Sequence, residues 1–206
     1  SAGSGGGIYN ANVLTLRTST MERNTATQEG GAIFNASFNT RTTVTVVDSL
    51  LADNNAGNGA GAVGNFSGDV FISGSTLRGN SAGSYAGAVW NESLGSLMVI
   101  TNSTLSGNEN HFSYGGAVWN GSGAMRLHSV TVTGNHAGLG SMSGIGGGIA
   151  NNENATLEIG NSIVAGNTGT YDFQGVSMPD CYDGGRAATV TSLGYNAGYG
   201  NTLVVS

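Results

Sequence analysis

Apolar and polar positions alternate along this chain in short runs with a period of two, and the runs themselves recur. Six stretches align without a gap when hung on Asn24, Asn54, Asn80, Asn108, Asn135 and Asn167. Ten residues before each Asn stand Leu14, Val44, Val70, Met98, Met125 and Leu157, and eight before it Leu16, Val46, Ile72, Ile100, Leu127 and Ile159. A third apolar column, three before the Asn, holds Met21, Leu51, Leu77, Leu105, Val132 and Val164, and the column five before is Ser in every copy except Val130. Apolar residues two apart with mixed residues between them are the period of a strand with one buried face.

A second phrase separates these stretches: Gly or Ala, then Gly, a small residue, Ile or Val, a variable residue and Asn. It ends at Asn10, Asn35, Asn65, Asn91, Asn120 and Asn151, at intervals of 25, 30, 26, 29 and 31 residues. That period belongs to solenoids and other repeat arrays. Each period offers three short strands: one in the Gly-rich phrase, one at the paired apolar columns and one leading to the second Asn. The pattern predicts an all-β chain, a parallel β-helix (β-solenoid) of about six to seven coils of three short strands. Coils stacked about 4.8 Å apart set like residue above like, so each Asn column can form a side-chain amide ladder at a turn. One elongated domain over 1–206 is expected, with 168–186 as a loop outside the repeat.

Composition agrees with that picture, since 37 Gly, one Pro and no stretch of 3.6-residue periodicity are unlike a helical bundle. Six Arg, no Lys and twelve acids give a formal net charge of -6. Such a chain has little with which to neutralise a phosphate backbone or to hold an anionic membrane, so nucleic acid is excluded as a partner. No run approaches the roughly 18 apolar residues of a spanning helix. The chain starts Ser1-Ala2-Gly3-Ser4 and enters the repeat almost at once, which leads us to expect a segment of a longer polypeptide.

The pairing of a Gly-Gly-Ala-Ile phrase (Gly30 to Ile33) with an apolar-x-x-Asn box resembles the repeats of chlamydial polymorphic outer-membrane proteins. In those repeats the second box usually begins with Phe; here Met21, Leu51, Leu77, Leu105, Val132 and Val164 take that place. The whole pattern, residues 5 to 196, is similar to large bacterial surface and secreted proteins built from right-handed parallel β-helix repeats. In these, the last coil is often followed by a segment like the Asp180-Cys181 loop and then the Ser192-Leu193-Gly194-Tyr195-Asn196 phrase. The resemblance implies a right-handed helix, a surface or extracellular location and, if a later cysteine pairs with Cys181 in such proteins, a chain continuing past Ser206.

Right-handed β-helices also include polysaccharide lyases and hydrolases, which need paired carboxylates or an acid cluster holding Ca²⁺ beside a base. The acids here are scattered: Asp48 and Asp53 in one coil, Asp69, Glu92 and Glu109 elsewhere. His111, His128 and His136 share no repeat column, so converging metal ligands are not expected. Asp172, Asp180 and Asp183 cluster in the non-repeating segment and form a weak candidate site for a hard cation, against a plain solvated excursion. No cofactor is expected, and the single Cys181 excludes an internal disulfide.

The variable position of the Gly-rich phrase holds Tyr9, Phe34, Gly64, Trp90, Trp119 and Ala150, with Tyr85 and Tyr114 at the preceding turn. If these rings face outward they make a flat apolar strip able to hold a sugar face or another chain. A covering loop, or a ladder of rings that only support one another, is the competing expectation. The Thr columns are too interrupted for an ice-binding lattice, and strand propensity accounts for them. Sequons occur at Asn35, Asn65, Asn91, Asn102, Asn120 and Asn154, four of them in a column expected to point into a turn. The expected function is a non-enzymatic extracellular or cell-surface structural or adhesion solenoid. It would act by contact with another chain or a polysaccharide, with end-to-end or lateral assembly possible. The alternative is a carbohydrate-active β-helix, either a lyase or hydrolase or a sugar-binding module.

Overall fold

The structure is a computed structural model that describes residues 3–139, 144–152, 154–170, 172–173, 176–177, 180–184 and 188–199. Its described strands build a parallel β-helix: three seven-stranded parallel sheets run the length of the molecule, and a fourth, narrower sheet has six strands. The first sheet stacks the Gly-rich phrases, from Ile8–Asn10 through Val89–Asn91 to Cys181–Asp183. The second stacks the five-residue strands, from Val13–Arg17 to Ile159's strand Thr156–Gly160 and then Thr189–Ser192. The third runs from Thr20–Glu22 to Ala197–Tyr199.

Register follows the columns of the sequence without slippage. Leu16 pairs with Val46, Val46 with Ile72, Ile72 with Ile100, Ile100 with Leu127 and Leu127 with Ile159. A one-residue slip in any coil would turn its apolar set to solvent, so burial itself holds the register. The interior is one continuous apolar column in which Val46, Ile72, Leu51, Leu77, Met98 and Leu105 are fully buried. Each fully buried Val, Leu, Ile or Met side chain contributes roughly 1.5–3 kcal/mol relative to an exposed one.

The fourth sheet was not expected from the three-strand pattern. Two-residue strands follow the second Asn at Thr25–Ala26, Asn55–Ala56, Ser81–Ala82, Glu109–Asn110, His136–Ala137 and Thr168–Gly169. Their buried second residues are Ala26, Ala56, Ala82, Asn110 and Ala137, and the Gly-rich phrase passes directly over the backbone of the first. A Cβ built on Gly31 meets the backbone of Gly61 and Asn55, and one on Gly87 meets Gly116 and Glu109. Only glycine permits that approach.

Turns at three corners are closed by polar ladders. In the first Asn column Nδ2 of each residue donates to Oδ1 of the next coil: Asn10 to Asn35 at 2.7 Å, Asn35 to Asn65 at 2.9 Å, Asn65 to Asn91 at 2.8 Å, Asn91 to Asn120 at 3.0 Å and Asn120 to Asn151 at 2.9 Å. The second column runs likewise from Asn24 through Asn54, Asn80, Asn108 and Asn135 to Asn167, and here each Oδ1 also accepts the backbone N–H of the preceding Asn. Serines close a third corner. Ser49 Oγ accepts the N–H of Ser19, Ser75 that of Ser49 and Ser103 that of Ser75, while each hydroxyl donates to the carbonyl two residues before it.

Within 168–186, the segment expected as a loop outside the repeat, the described residues include short strands. Asp172–Phe173 and Val176–Ser177 pair as a small antiparallel hairpin, after which Asp180 turns back into the interior and Cys181–Asp183 joins the first sheet beside Ile149–Asn151. Asp180 Oδ1 takes the place of a further asparagine oxygen, accepting the backbone N–H of Asn167 at 3.0 Å and its Nδ2 at 2.9 Å.

Asn108 accepts from Asn80, donates to Asn135 and also donates to the Leu77 carbonyl at 3.0 Å, all without solvent. Asn108→Ala therefore strands several buried polar groups in two neighbouring coils. A loss of on the order of 3 kcal/mol in unfolding free energy is expected by chemical denaturation, given about 1–3 kcal/mol per orphaned group.

Candidate functional site

The aromatic column is where the sequence placed its contact strip, and the first sheet does align its members. Trp90 is paired with Trp119, Tyr9 with Phe34 and Phe34 with Gly64. The rings do not stand in solvent. Trp90 and Trp119 are each 7% exposed and Phe34 is 8%, so the expectation of an open strip is corrected to a second apolar cluster on the outer side of the first sheet. Tyr9 alone among the phrase aromatics stays open, at 51%.

The physical cause is the lean of each ring across its neighbours. Trp119 stacks on Tyr85 with centroids 4.5 Å apart and on Trp90 at 5.8 Å. Trp90 in turn lies over Gly59, where an added Cβ would be 3.1 Å from the indole, and Phe34 lies over Gly64 with a corresponding 3.0 Å. Tyr114 stands parallel to Tyr85 at 6.5 Å and meets Tyr182 at 6.1 Å, closing over Ala150. Down the column two large residues are followed by one small one, Tyr9 and Phe34 by Gly64, then Trp90 and Trp119 by Ala150; offset stacks of this kind add about 0.5–1.5 kcal/mol beyond area burial.

One polar group is drawn into the cluster. Trp90 Nε1 donates to Glu92 Oε2 at 3.0 Å, and the carboxylate reaches over Gly121 of the next coil. Burial raises the Glu92 pKa above its ordinary value of 4.5, with the Trp90 hydrogen bond acting in the opposite direction. The indole N–H of Trp119 is buried without a partner.

Among the exposed apolar side chains, one group follows the first Asn column. At the corner after the first Asn column, Phe38 is 88% exposed, Leu94 is 80% exposed and Phe66 is half-buried between Phe34 and Phe38, at 6.5 and 6.3 Å. These three belong to successive coils. The sequence pattern missed them because they sit in turns of unequal length, outside every aligned column; three apolar residues following the same Asn were the available signal.

The other candidates are not brought together. Asp180 is buried as a ladder end, Asp183 is exposed in the first sheet, and the Asp172 side chain lies outside the described residues. Among the described residues no group of three His, Cys, Asp or Glu is placed to hold a metal ion. His111 lies 3.9 Å from Glu109, His136 Nδ1 is 2.6 Å from the Thr168 hydroxyl, and His128 is exposed on the second sheet. Several acids are taken up by surface arginines: Asp69 by Arg41, Glu158 by Arg126 at 2.6 Å and Asp53 by Arg78 at 3.8 Å. Cys181 is a free thiol packed against the core, and burial first, then the nearby Asp180 charge, pushes its pKa up, which suppresses the reactive thiolate. Of the sequons, Asn35, Asn65, Asn91 and Asn120 are fully buried in the ladder, whereas Asn102 and Asn154 are exposed at turns. A shallow surface depression of about 500 Å³ over Thr18, Asp48 and Gly74 carries no reactive pair. Comparison of the chain with protein-family models, curated proteins and solved structures finds no match.

The cluster yields two expectations. Trp119→Ala removes a ring that two others, Tyr85 and Trp90, rest on and should cost about 3 kcal/mol of stability, the range for a largely buried aromatic, measured by denaturant unfolding. Glu92 has a raised folded pKa, so its contribution to stability is full below about pH 4.5 and is lost as pH rises through the folded value. Glu92→Gln keeps an oxygen for the Trp90 N–H and removes the ionisation. Its melting temperature should exceed that of the parent at pH 7, with the gap shrinking to nothing near pH 4, as followed by calorimetry across that range.

Proposed function

We propose that this chain is a non-enzymatic contact module of the extracellular space or a cell surface: a stiff structural or adhesive β-solenoid that holds another protein chain or a polysaccharide. The observation that carries this reading is the rim of exposed Phe38 and Leu94 with half-buried Phe66, set on successive coils beside a closed aromatic cluster. With coils about 4.8 Å apart, the three side chains span roughly 10 Å along the axis. That is a short apolar ledge on a rigid edge, a shape suited to the flat face of a sugar or to an apolar side chain of a partner. Stacked coils suit such a role because each holds the next in register and the ledge cannot rearrange independently of the core. The resemblance of the repeats to bacterial surface and secreted proteins supports the location. The net charge of -6 favours neutral or basic partners over anionic ones.

The test uses a double variant, Phe38→Ser with Leu94→Ser, against a panel of immobilised polysaccharides and surface proteins. Binding should fall at least tenfold, as expected when central apolar anchors worth about 1.4 kcal/mol or more are lost, while the melting temperature stays within about 2 °C because both side chains are exposed. Unchanged binding by the variant would remove the rim from the proposal. Release of reducing ends from any polysaccharide by the parent chain would replace it with an enzymatic function.

A further inference from the structure

At the corner that carries Phe38 and Leu94, one arginine ties three successive coils together. Arg41 follows the Phe38 turn into the second sheet, where strand Asp69–Ser73 lies between Thr43–Val47 and Leu97–Thr101. Its guanidinium forks onto the Asp69 carboxylate, Nε donating to Oδ2 at 2.8 Å and Nη2 to Oδ1, and Nη2 also donates to the Gly95 carbonyl at 3.1 Å. Both flanking turns are fixed by their own hydrogen bonds. Ser37 Oγ accepts the N–H of Asn39 and of Thr40, and the Ser37 backbone exchanges two hydrogen bonds with the Ser67 hydroxyl of the next coil. Ser93 to Ser96 form a tight turn, with Gly95 at φ 82° and the Ser96 N–H on the Ser93 carbonyl. The charge pair inside this frame keeps spare valences. The Arg41 side chain is 59% exposed and that of Asp69 19%. Among the described residues nothing takes the Arg41 Nη1 hydrogens, and Arg41 fills only two of the roughly four acceptor positions of a carboxylate. The space beside Gly95 is open, since an added Cβ would meet nothing within 4 Å.

We propose that this corner is a subsite for a neutral polysaccharide, holding one pyranose ring with its C–H face on Phe38, its flank on Leu94 and two neighbouring hydroxyls on the Arg41–Asp69 pair. One hydroxyl accepts from Nη1 and the other donates to the carboxylate. The proposal rests on the contact reading above and narrows it to carbohydrate. The reason is the donor and acceptor set: a guanidinium only donates and a carboxylate only accepts, so a partner that meets both side by side must offer both. Vicinal sugar hydroxyls do so, at the edge of a ring whose face is apolar. An apolar protein side chain would cover the pair and leave its open valences unmet. An anionic sugar is the wrong ligand, because Asp69 already neutralises the guanidinium and the chain carries a net charge of -6.

The experiment is calorimetric titration of the intact chain with hexasaccharides of glucose, mannose, galactose and N-acetylglucosamine, with hexagalacturonate, and with the surface proteins of the rim assay. Monodeoxy forms of the sugar that binds best follow. Saturable binding of a neutral hexasaccharide is expected, with hexagalacturonate weaker. Arg41→Gln and Asp69→Asn should each weaken it roughly tenfold or more, as when a hydrogen bond to a charged group is lost. The melting temperature of Arg41→Gln should stay within about 2 °C of the parent, as for a surface substitution. Deleting a bonded sugar hydroxyl should weaken binding to the parent and not to Arg41→Gln; an arginine that only props the two turns would leave the same loss in both. No binding of any neutral hexasaccharide, a preference for hexagalacturonate, or equal deoxy losses in parent and variant overturns the proposal. If Arg41→Gln fails to fold, the deoxy series on Asp69→Asn decides in the same way. A surface protein bound through Phe38 and Leu94 in place of any sugar overturns this inference and leaves the rim reading standing, so the two fail separately.

Discussion

The constraint on which this fold depends is the closing of a buried turn. A chain that changes direction around an apolar interior must leave peptide groups facing inward, and each unpaired one costs free energy comparable to a lost hydrogen bond. Asparagine answers this because one short side chain holds both a donor and an acceptor. It can take a hydrogen from the coil before and pass one to the coil after, as Asn80, Asn108 and Asn135 do. Serine answers more weakly, and its column is interrupted where Val130 takes the site, resuming with Ser162 Oγ accepting the Val130 N–H. Aspartate can only receive. The position of Asp180 is therefore a statement about where the relay stops.

Everything else in the coil accommodates those corners. Glycine in the repeated phrase lets the first sheet lie against the fourth, and positive φ at Gly30 and Gly115 turns the chain into it. The apolar columns fill what remains. On the outer side of the first sheet the same stacking produces a second cluster, in which Trp90 and Trp119 consume the area that a binding strip would have needed. Phe38 and Leu94, exposed at one corner, lie in turns that the repeat does not govern.

The sequence by itself determined the class of fold, the pairing register and both Asn ladders. Period-two alternation and fixed column spacing have only one arrangement that buries every apolar column at once, as with Leu16 above Val46 above Ile72. It did not disclose the two-residue strands such as Ser81–Ala82, because a run that short has no periodicity to detect. It also placed Asp180 in a loop, because a single residue outside the repeat carries no column of its own. Tertiary structure decided which way the aromatic rings face. In an isolated strand the side chain of Trp90 points outward whatever lies next to it; whether that outward space is water or protein depends on Gly59, Tyr85 and Trp119, residues from other parts of the sequence that stacking brings alongside. Alternation specifies the face of a sheet, and only the neighbours on that face specify its exposure.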